Sequence, residues 1–382
     1  MIVGVAEHDM DRGRLIPASS VLAAQAHVAR EALADAGLGF GDVDGLLASG
    51  MWGIPGPGQL PTLTLAEFFG VQPRFSNSSN MGGSVFESFV PAAARAIEKG
   101  DCDVALIVFG STQRSDRGRV LGRREPLLTT QYETPWGLPL PVGAYALCAM
   151  RHMHEYGTRR EDLAQIAVET RRWAQLNPVA TCRDPLTIDD VLNSGELCDP
   201  LRVLDCCLVT DGAGAIVMTT EEHSRANGIA PIYLRGYGEY QSHWTVGAMP
   251  DLTVAPAKFS AAQAMEMASV TTESIDVFEL YDSFTITVLM TLEALGLFRP
   301  GDGGEWLAAG NMGPGGAHPV NTAGGGLSHA HPGMYGIFLL IEAVRQLRGE
   351  AGARQVPGAS TALVNGTGGA MSSAATCILA TS

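Results

Sequence analysis

Along the chain, short runs that are almost wholly apolar alternate with longer stretches in which apolar residues recur every three or four positions. The first pattern predicts strands buried on both faces, the second amphipathic helices. The run "MIVGVAEH" predicts a strand, residues 20–36 a helix, "VDGLLASG" a second strand and residues 62–69 a second helix. From Phe75 to Ser111 a β-prone run ends in the polar turn "SSNMGGS", an alanine-rich amphipathic helix follows, and "DVALIVFG" is a buried strand. Between residues 112 and 192 the pattern changes to Pro- and Arg-rich loops around helices such as "GAYALCAMRHMHEYG" and "REDLAQIAVETRRWAQ", which predicts an inserted loop domain.

A β run at "DGAGAIVMTT" gives way to a polar helix and a turn near residue 225, and the alternation then restarts. The second part comprises "APIYLRGYGEY", a helix over 260–268, "IDVFELYDSF", a helix to about 297, a glycine-rich loop, a helix over 333–347, and the runs "STALVNGTGG" and "SSAATCILAT". "DVDGLLASG" and "SIDVFELYDS" each follow a helix and carry an acidic residue just before a buried strand. Residues 1–225 and 226–382 therefore read as two copies of one α/β unit, each with a mostly parallel sheet covered by helices.

A chain of 382 residues is long enough for two such units, and 46 glycines fit a loop-rich globular protein. The opening strand is followed at once by "EHDMDRGR", and no uncharged apolar run reaches the length of a membrane span, so a cytoplasmic protein without a membrane partner is expected. A net charge of -15 argues against nucleic acid as a partner. The seven cysteines form no CxxC pair and read as buried small hydrophobes. Against the acidic background, "STQRSDRGRVLGRREP" gathers Arg114, Arg117, Arg119, Arg123 and Arg124 in a chain with only two lysines. Guanidinium forks grip phosphates bidentately, so a nucleotide-like ligand such as coenzyme A fits this loop; a solvated loop or an oligomer contact fits it equally.

The turn "SSNMGGS" sits at a helix N-terminus, where a reactive anion would be stabilised, yet it offers Asn80, Met81 and serines but no cysteine. Three more loops could carry chemistry. "ELYDSFT" sets Tyr281 and Asp282 just after an apolar strand, and "HPVNTAGGGLSHAHPGMYG" gathers His318, Asn321, His329 and His331 among glycines. "VNGTGGAMSS" is a glycine turn whose backbone donors suit an oxyanion. A packed tyrosine and structural histidines are the alternatives. The "HAH" pair lacks neighbouring cysteine or acidic ligands, so no metal is expected, and the glycine runs match neither a phosphate-binding loop nor a dinucleotide fingerprint.

Taken in order, "NMGGS" before a helix, "ELYDSF", "NTAGGGLSHAHPG" and "GTGGAM" resemble the thiolase superfamily over nearly the whole chain, in its branch of thiolase-like lipid-transfer proteins related to sterol-carrier-protein thiolases. The resemblance implies two similar α/β halves in a five-layer αβαβα arrangement with a loop domain, a tight homodimer, and an acyl-CoA ligand with no bound cofactor. It places the thiolase nucleophile at Asn80 and the second cysteine near Gly366, so both thiols are missing; the histidine of the "GHP" motif persists as His331, and Tyr281 takes an oxyanion-hole position. Thiolysis through an acyl-enzyme fails without a thiol, whereas retro-aldol cleavage of a 3-hydroxyacyl-CoA needs none.

On that resemblance Tyr281 and His331, with Asp282 beside them, are the acid/base candidates, and Asn80 would polarise the thioester. Backbone donors at Gly83 and Gly368 would hold the enolate, while Arg114, Arg117, Arg123, Arg124, His329 and Asn321 would bind the acyl-CoA. Some members of the branch are steroid side-chain aldolases that act with a small OB-fold, zinc-ribbon partner, which implies a heterotetramer and a bulky acyl group. The alternatives are a thiolase or acyltransferase subunit acting on a 3-ketoacyl-CoA, and a non-catalytic acyl-CoA or lipid-binding subunit.

Overall fold

The computed structural model describes residues 1–50, 56–116, 128–139, 141–226 and 228–382. Two sheets carry the molecule. The first contains β1 (Ile2–Glu7), β2 (Gly45–Ala48), β3 (Phe75–Asn77), β4 (Val104–Ser111) and β5 (Gly212–Thr219), side by side in the order β1, β5, β4, β2, β3. The second contains β6 (Tyr233–Gln241), β7 (Val277–Leu280), β8 (Thr361–Gly368) and β9 (Ser373–Ala380), in the order β6, β9, β8, β7. Each sheet starts with two antiparallel pairings and continues with parallel ones, so the second repeats the first without a counterpart of β3.

The sheets are mixed, which corrects the expectation of mostly parallel sheets. Strands β8 and β9 are joined by a tight turn in which Gly368 pairs with Ser373, and a connection that short permits only an antiparallel pair.

Helices α1 (Val21–Asp35) and α2 (Pro61–Phe69) cover the outer face of the first sheet, and α6 (Ala257–Ala268) and α7 (Thr285–Ala294) the outer face of the second. Between the sheets lie α3 (Val85–Lys99) and α8 (Gly336–Arg348), each touching both, which completes the five layers. Ser20 caps α1 by accepting from the Ala23 N–H, and Ala24, Val28, Ala32 and Leu33 line its buried side. The helix backbone reaches the sheet itself: a Cβ on Gly4 would stand 2.1 Å from the Ala32 carbonyl oxygen. The second half repeats this contact, because a Cβ on Gly236 would stand 2.1 Å from the Ala264 carbonyl oxygen. The intervening chain contributes α4 (Val142–Tyr156) and α5 (Arg160–Leu176), which pack on α7. Among the described residues no helix is long and apolar enough to cross a membrane.

As a central-layer helix, α3 is buried along Val85, Phe86, Phe89, Val90, Ala93 and Ala96. Pro91 interrupts its hydrogen-bond ladder, since proline has no N–H for the carbonyl one turn earlier. The Cys377 thiol of β9 donates to that carbonyl, on Glu87, at 3.2 Å.

A buried polar cluster fastens α8 to the second sheet. Arg354 holds both oxygens of Glu342 at 2.8 Å, and the Thr322 hydroxyl lies 2.8 Å from both Glu342 and Glu279. Thr322 has one hydroxyl proton for two carboxyl oxygens, so the second contact requires a proton on a carboxyl group. Burial, reinforced by the neighbouring Glu342, raises Glu279 well above the usual carboxylate range and identifies it as the protonated one. Replacing Arg354 with Met leaves Glu342 buried without its counter-ion; urea unfolding of Arg354→Met is expected to show a loss of about 3–5 kcal/mol, and an unchanged midpoint would contradict this account.

Candidate active site

Three turns converge where the two halves meet. The end of β7 delivers Tyr281 and Asp282, the turn before α3 delivers Gly82 and Gly83, and the loop 321–335 delivers His331 and Tyr335. Tyr281 lies with its ring directly on Gly83, where a Cβ would come 2.1 Å from Cε2 and 2.6 Å from the hydroxyl. A side chain there and the tyrosine ring exclude each other, so glycine is required by close approach. The Tyr281 hydroxyl is 3.0 Å from Nε2 of His331 and accepts the backbone N–H of Tyr335 at 3.2 Å.

The loop carrying His331 is pinned from several sides. Asp282 accepts the N–H groups of Gly326 and Leu327 at 2.6 and 3.1 Å, and the His331 N–H donates to Thr210 at 2.9 Å. From the C-terminal part of α5, Arg171 donates to Ser328, and Asn177 just after it donates to the Ala323 carbonyl. Burial pushes the Asp282 carboxyl up to about 6 against the pull of its two backbone donors. Asp282 thus shapes the loop that presents His331.

Burial also raises the Tyr281 phenol well above its ordinary value, a shift to which Cys207 and Tyr145 add. At neutral pH Tyr281 is therefore a phenol, able to take a proton only as it gives its own to His331. Behind the pair, His329 lies 3.0 Å through Nδ1 from the Tyr335 hydroxyl, and its Nε2 stands 2.7 Å from a Glu7 carboxyl oxygen. Burial works to raise Glu7, but His329 and Arg345 outweigh it and hold the carboxyl down at about 2.

The glycine turn after β8 closes the group. A Cβ on Gly368 would stand 1.6 Å from the Met81 carbonyl oxygen, and one on Gly82 would stand 2.8 Å from Cα of Gly368. The Ser84 and Ser373 hydroxyls lie 2.9 Å apart, at 3.0 and 2.9 Å from the Met81 carbonyl oxygen; with two protons for three contacts, at least one of them donates to that carbonyl. Tyr145 of α4 donates to the Gly369 carbonyl at 2.8 Å, so α4 holds this turn as well.

Of the residues singled out in the sequence, Tyr281, His331, Asp282, Gly83 and Gly368 come together. Asn80 is exposed, its amide oxygen accepting from Gly82 and its nitrogen donating to the Gly50 carbonyl, so it braces the turn. His329 and Asn321 are buried, the latter accepting the Leu280 N–H at 2.7 Å, and both face inward from the wall. Arg114 is exposed just past β4, where Asp211 accepts the backbone N–H groups of Arg114 and Ser115 at 2.9 and 2.8 Å. Arg117, Arg123 and Arg124 lie outside the described residues. Tyr335, Glu7 and Glu87 also border the site although no sequence motif singles them out; Glu87 alone carries a signal, an acidic residue on an otherwise apolar helix face. Among the described residues no group of three or more His, Cys, Asp or Glu is placed to hold a metal ion.

Residues 238–381 match the family model described as thiolase C-terminal domain-like. The chain is 32% identical to the 17-hydroxy-3-oxo-4-pregnene-20-carboxyl-CoA lyase of Mycobacterium tuberculosis, over 96% of each protein. It is 31% identical to the steroid side-chain-cleaving aldolase of Thermomonospora curvata, over 91% of this chain and 89% of that one. Among solved structures it superposes on an Ltp2-ChsH2(DUF35) aldolase with a TM-score of 0.88 and 29% identity, covering 99% of this chain and 97% of that one.

The tyrosine and glycine contact yields a direct test. Gly83→Ala is expected to cost about 1–3 kcal/mol in urea unfolding. It should also displace the Tyr281 ring from His331 in a crystal structure; an alanine accommodated with the ring in place would contradict the close approach described above.

Proposed function

The chain belongs to the thiolase superfamily, and we propose that it is a carbon–carbon lyase that cleaves a 3-hydroxyacyl-CoA by a retro-aldol reaction. The observation that carries this reading is the direct contact of Tyr281 with His331 at 3.0 Å, beside a helix-initiating turn that has no cysteine. The thiols that burial leaves near this region are poor nucleophiles: Cys207 and Cys377 are both raised above the ordinary thiol value by desolvation. The two full-length relatives named as a CoA lyase and a side-chain-cleaving aldolase support the same chemistry.

In the proposed reaction the substrate 3-hydroxyl lies against the Tyr281 oxygen. Its proton passes to Tyr281 as the phenol proton passes to Nε2 of His331. The Cα–Cβ bond then breaks, the C3–O bond becomes a carbonyl, and the bonding pair moves into the thioester enolate. Return of the proton through the same pair to Cα yields the shorter acyl-CoA, so no proton or electron is gained or lost overall. Backbone donors of the turns at Gly83 and Gly368 would hold the enolate oxygen. The coenzyme A end is assigned to the arginine loop, of which Arg114 is the described part.

The acyl group is proposed to be bulky and apolar, such as a steroid side chain. By analogy with the solved Ltp2-ChsH2(DUF35) assembly, the chain would act with a DUF35-type partner, a small protein with an OB-fold and zinc ribbon, in a heterotetramer built on its own homodimer.

Purified protein, with such a partner, is expected to split a 3-hydroxyacyl-CoA into a carbonyl compound and a shorter acyl-CoA. Tyr281→Phe and His331→Gln should each lower kcat/KM by about 10²–10⁴ with little change in Tm. Wild-type rates in both variants would remove the assigned roles, and a stable acyl adduct in the mass spectrum would favour thiolysis instead.

A further inference from the structure

Glu87 lies in the first turn of α3 and is only 1% exposed, yet among the described residues neither carboxyl oxygen has a hydrogen-bond partner. An ionised carboxyl in such a place is heavily penalised unless a cation or several donors meet it. Its surroundings are built to admit it. A Cβ on Gly366 would stand 2.1 Å from one of its oxygens, and a Cβ on Gly336 would stand 2.6 and 2.8 Å from the two, so both neighbours must be glycine for the carboxyl to fit. The backbone is held as well, by the Cys377 thiol on the Glu87 carbonyl that Pro91 leaves open.

The titratable groups that face the carboxyl are few. Tyr281, just past β7, lies on Gly83, whose carbonyl oxygen would stand 2.3 Å from the same Gly336 Cβ that meets the carboxyl, and Cys377 comes from β9; an ionised Glu87 opposes the ionisation of both. The central helix α8 turns Gly336 toward it while its own Glu342 is engaged by Arg354 and Thr322, and β8 offers Gly366. On β6, Glu239 accepts from Ser88, the residue after Glu87. No cation in this set would hold Glu87 ionised, and burial pushes it up to about 8, with only its own backbone N–H acting the other way.

We propose that Glu87 is a positioning residue for proton transfer: as a neutral acid it lets Tyr281 acquire negative character while its proton moves to His331, and as a carboxylate it blocks that movement. The proton of Glu87 stays where it is throughout the reaction. The inference rests on the reading of Tyr281 and His331 as the proton-transfer pair.

The test compares wild type with Glu87→Gln, which keeps the shape and cannot ionise, and with Glu87→Met as a second non-titrating variant. Wild-type cleavage is expected to fall by about tenfold per pH unit above about pH 8, whereas Glu87→Gln keeps its pH 7 rate within about threefold and lacks that alkaline limb. The same limb in all three proteins, or a folded Glu87→Gln that is inactive at pH 7, overturns the proposal. Urea unfolding against pH provides a readout that needs no activity. Because folding raises Glu87 from 4.5 to about 8, its contribution to stability is complete below the lower value and is lost as pH rises through the higher one. The wild-type midpoint should therefore fall across that window more than the midpoint of either variant; equal slopes overturn the neutral state on which the proposal depends. A wild-type rate in Tyr281→Phe would bring down the proton-transfer pair and the proposal with it, while the unfolding series would still read the charge of Glu87.

Discussion

The site depends on one steric contact, the Tyr281 ring lying directly on the backbone of Gly83. It joins the end of a strand in the second half to the start of a central-layer helix in the first, and it leaves the phenol oxygen within reach of His331 and the Tyr335 N–H. The neighbouring glycines serve the same end. Gly82 and Gly368 let the two turns touch through their backbones, and Gly366 and Gly336 open the space that the Glu87 carboxyl takes. Close packing without side chains is what allows three turns from distant parts of the chain to meet in so small a volume.

Desolvation then sets the character of the groups. Tyr281, Asp282, Glu87 and Glu279 are all raised by burial, so each keeps its proton to a higher pH than the same side chain would in water. Glu7 is the contrast: with His329 and Arg345 against it, it remains ionised and anchors the wall behind Tyr335. A tyrosine in such surroundings is not a free-standing base. In the proposed reaction it works as a relay, and its competence would depend on the charge that Glu87 carries beside it.

Much of the frame was legible in the sequence because burial writes itself as periodicity. The strands at "VALIVFGS" and "STALVNGTGG", the helix starting near Ser84, and the Tyr281 and His331 loops all follow from local pattern and glycine placement. Strand direction was not legible, since an apolar run reads the same whichever way its neighbour points, and the pairing is settled by connections far apart in the chain. The inward-facing loop residues were equally hidden. His329 and Asn321 look as accessible in a glycine-rich loop as a ligand-binding pair would, and only the packing of Tyr335 and Leu280 shows that they brace the wall. Glu87 was visible as a lone acid among Val85, Phe86, Phe89 and Val90, but its significance needs the glycines of two other elements.

The position of β9 bears on how the molecule comes into being. The strand that begins at Ser373 lies inside the second sheet, hydrogen-bonded to β6 on one side and to β8 on the other. While a ribosome is still making the preceding segments, β6 has no partner in that sheet. The first sheet, whose inner strand β5 ends at Thr219, can close more than a hundred residues earlier. Synthesis thus passes through a long interval with one finished sheet and one open one, and a nascent chain in that interval exposes strand edges of the kind that chaperones cover.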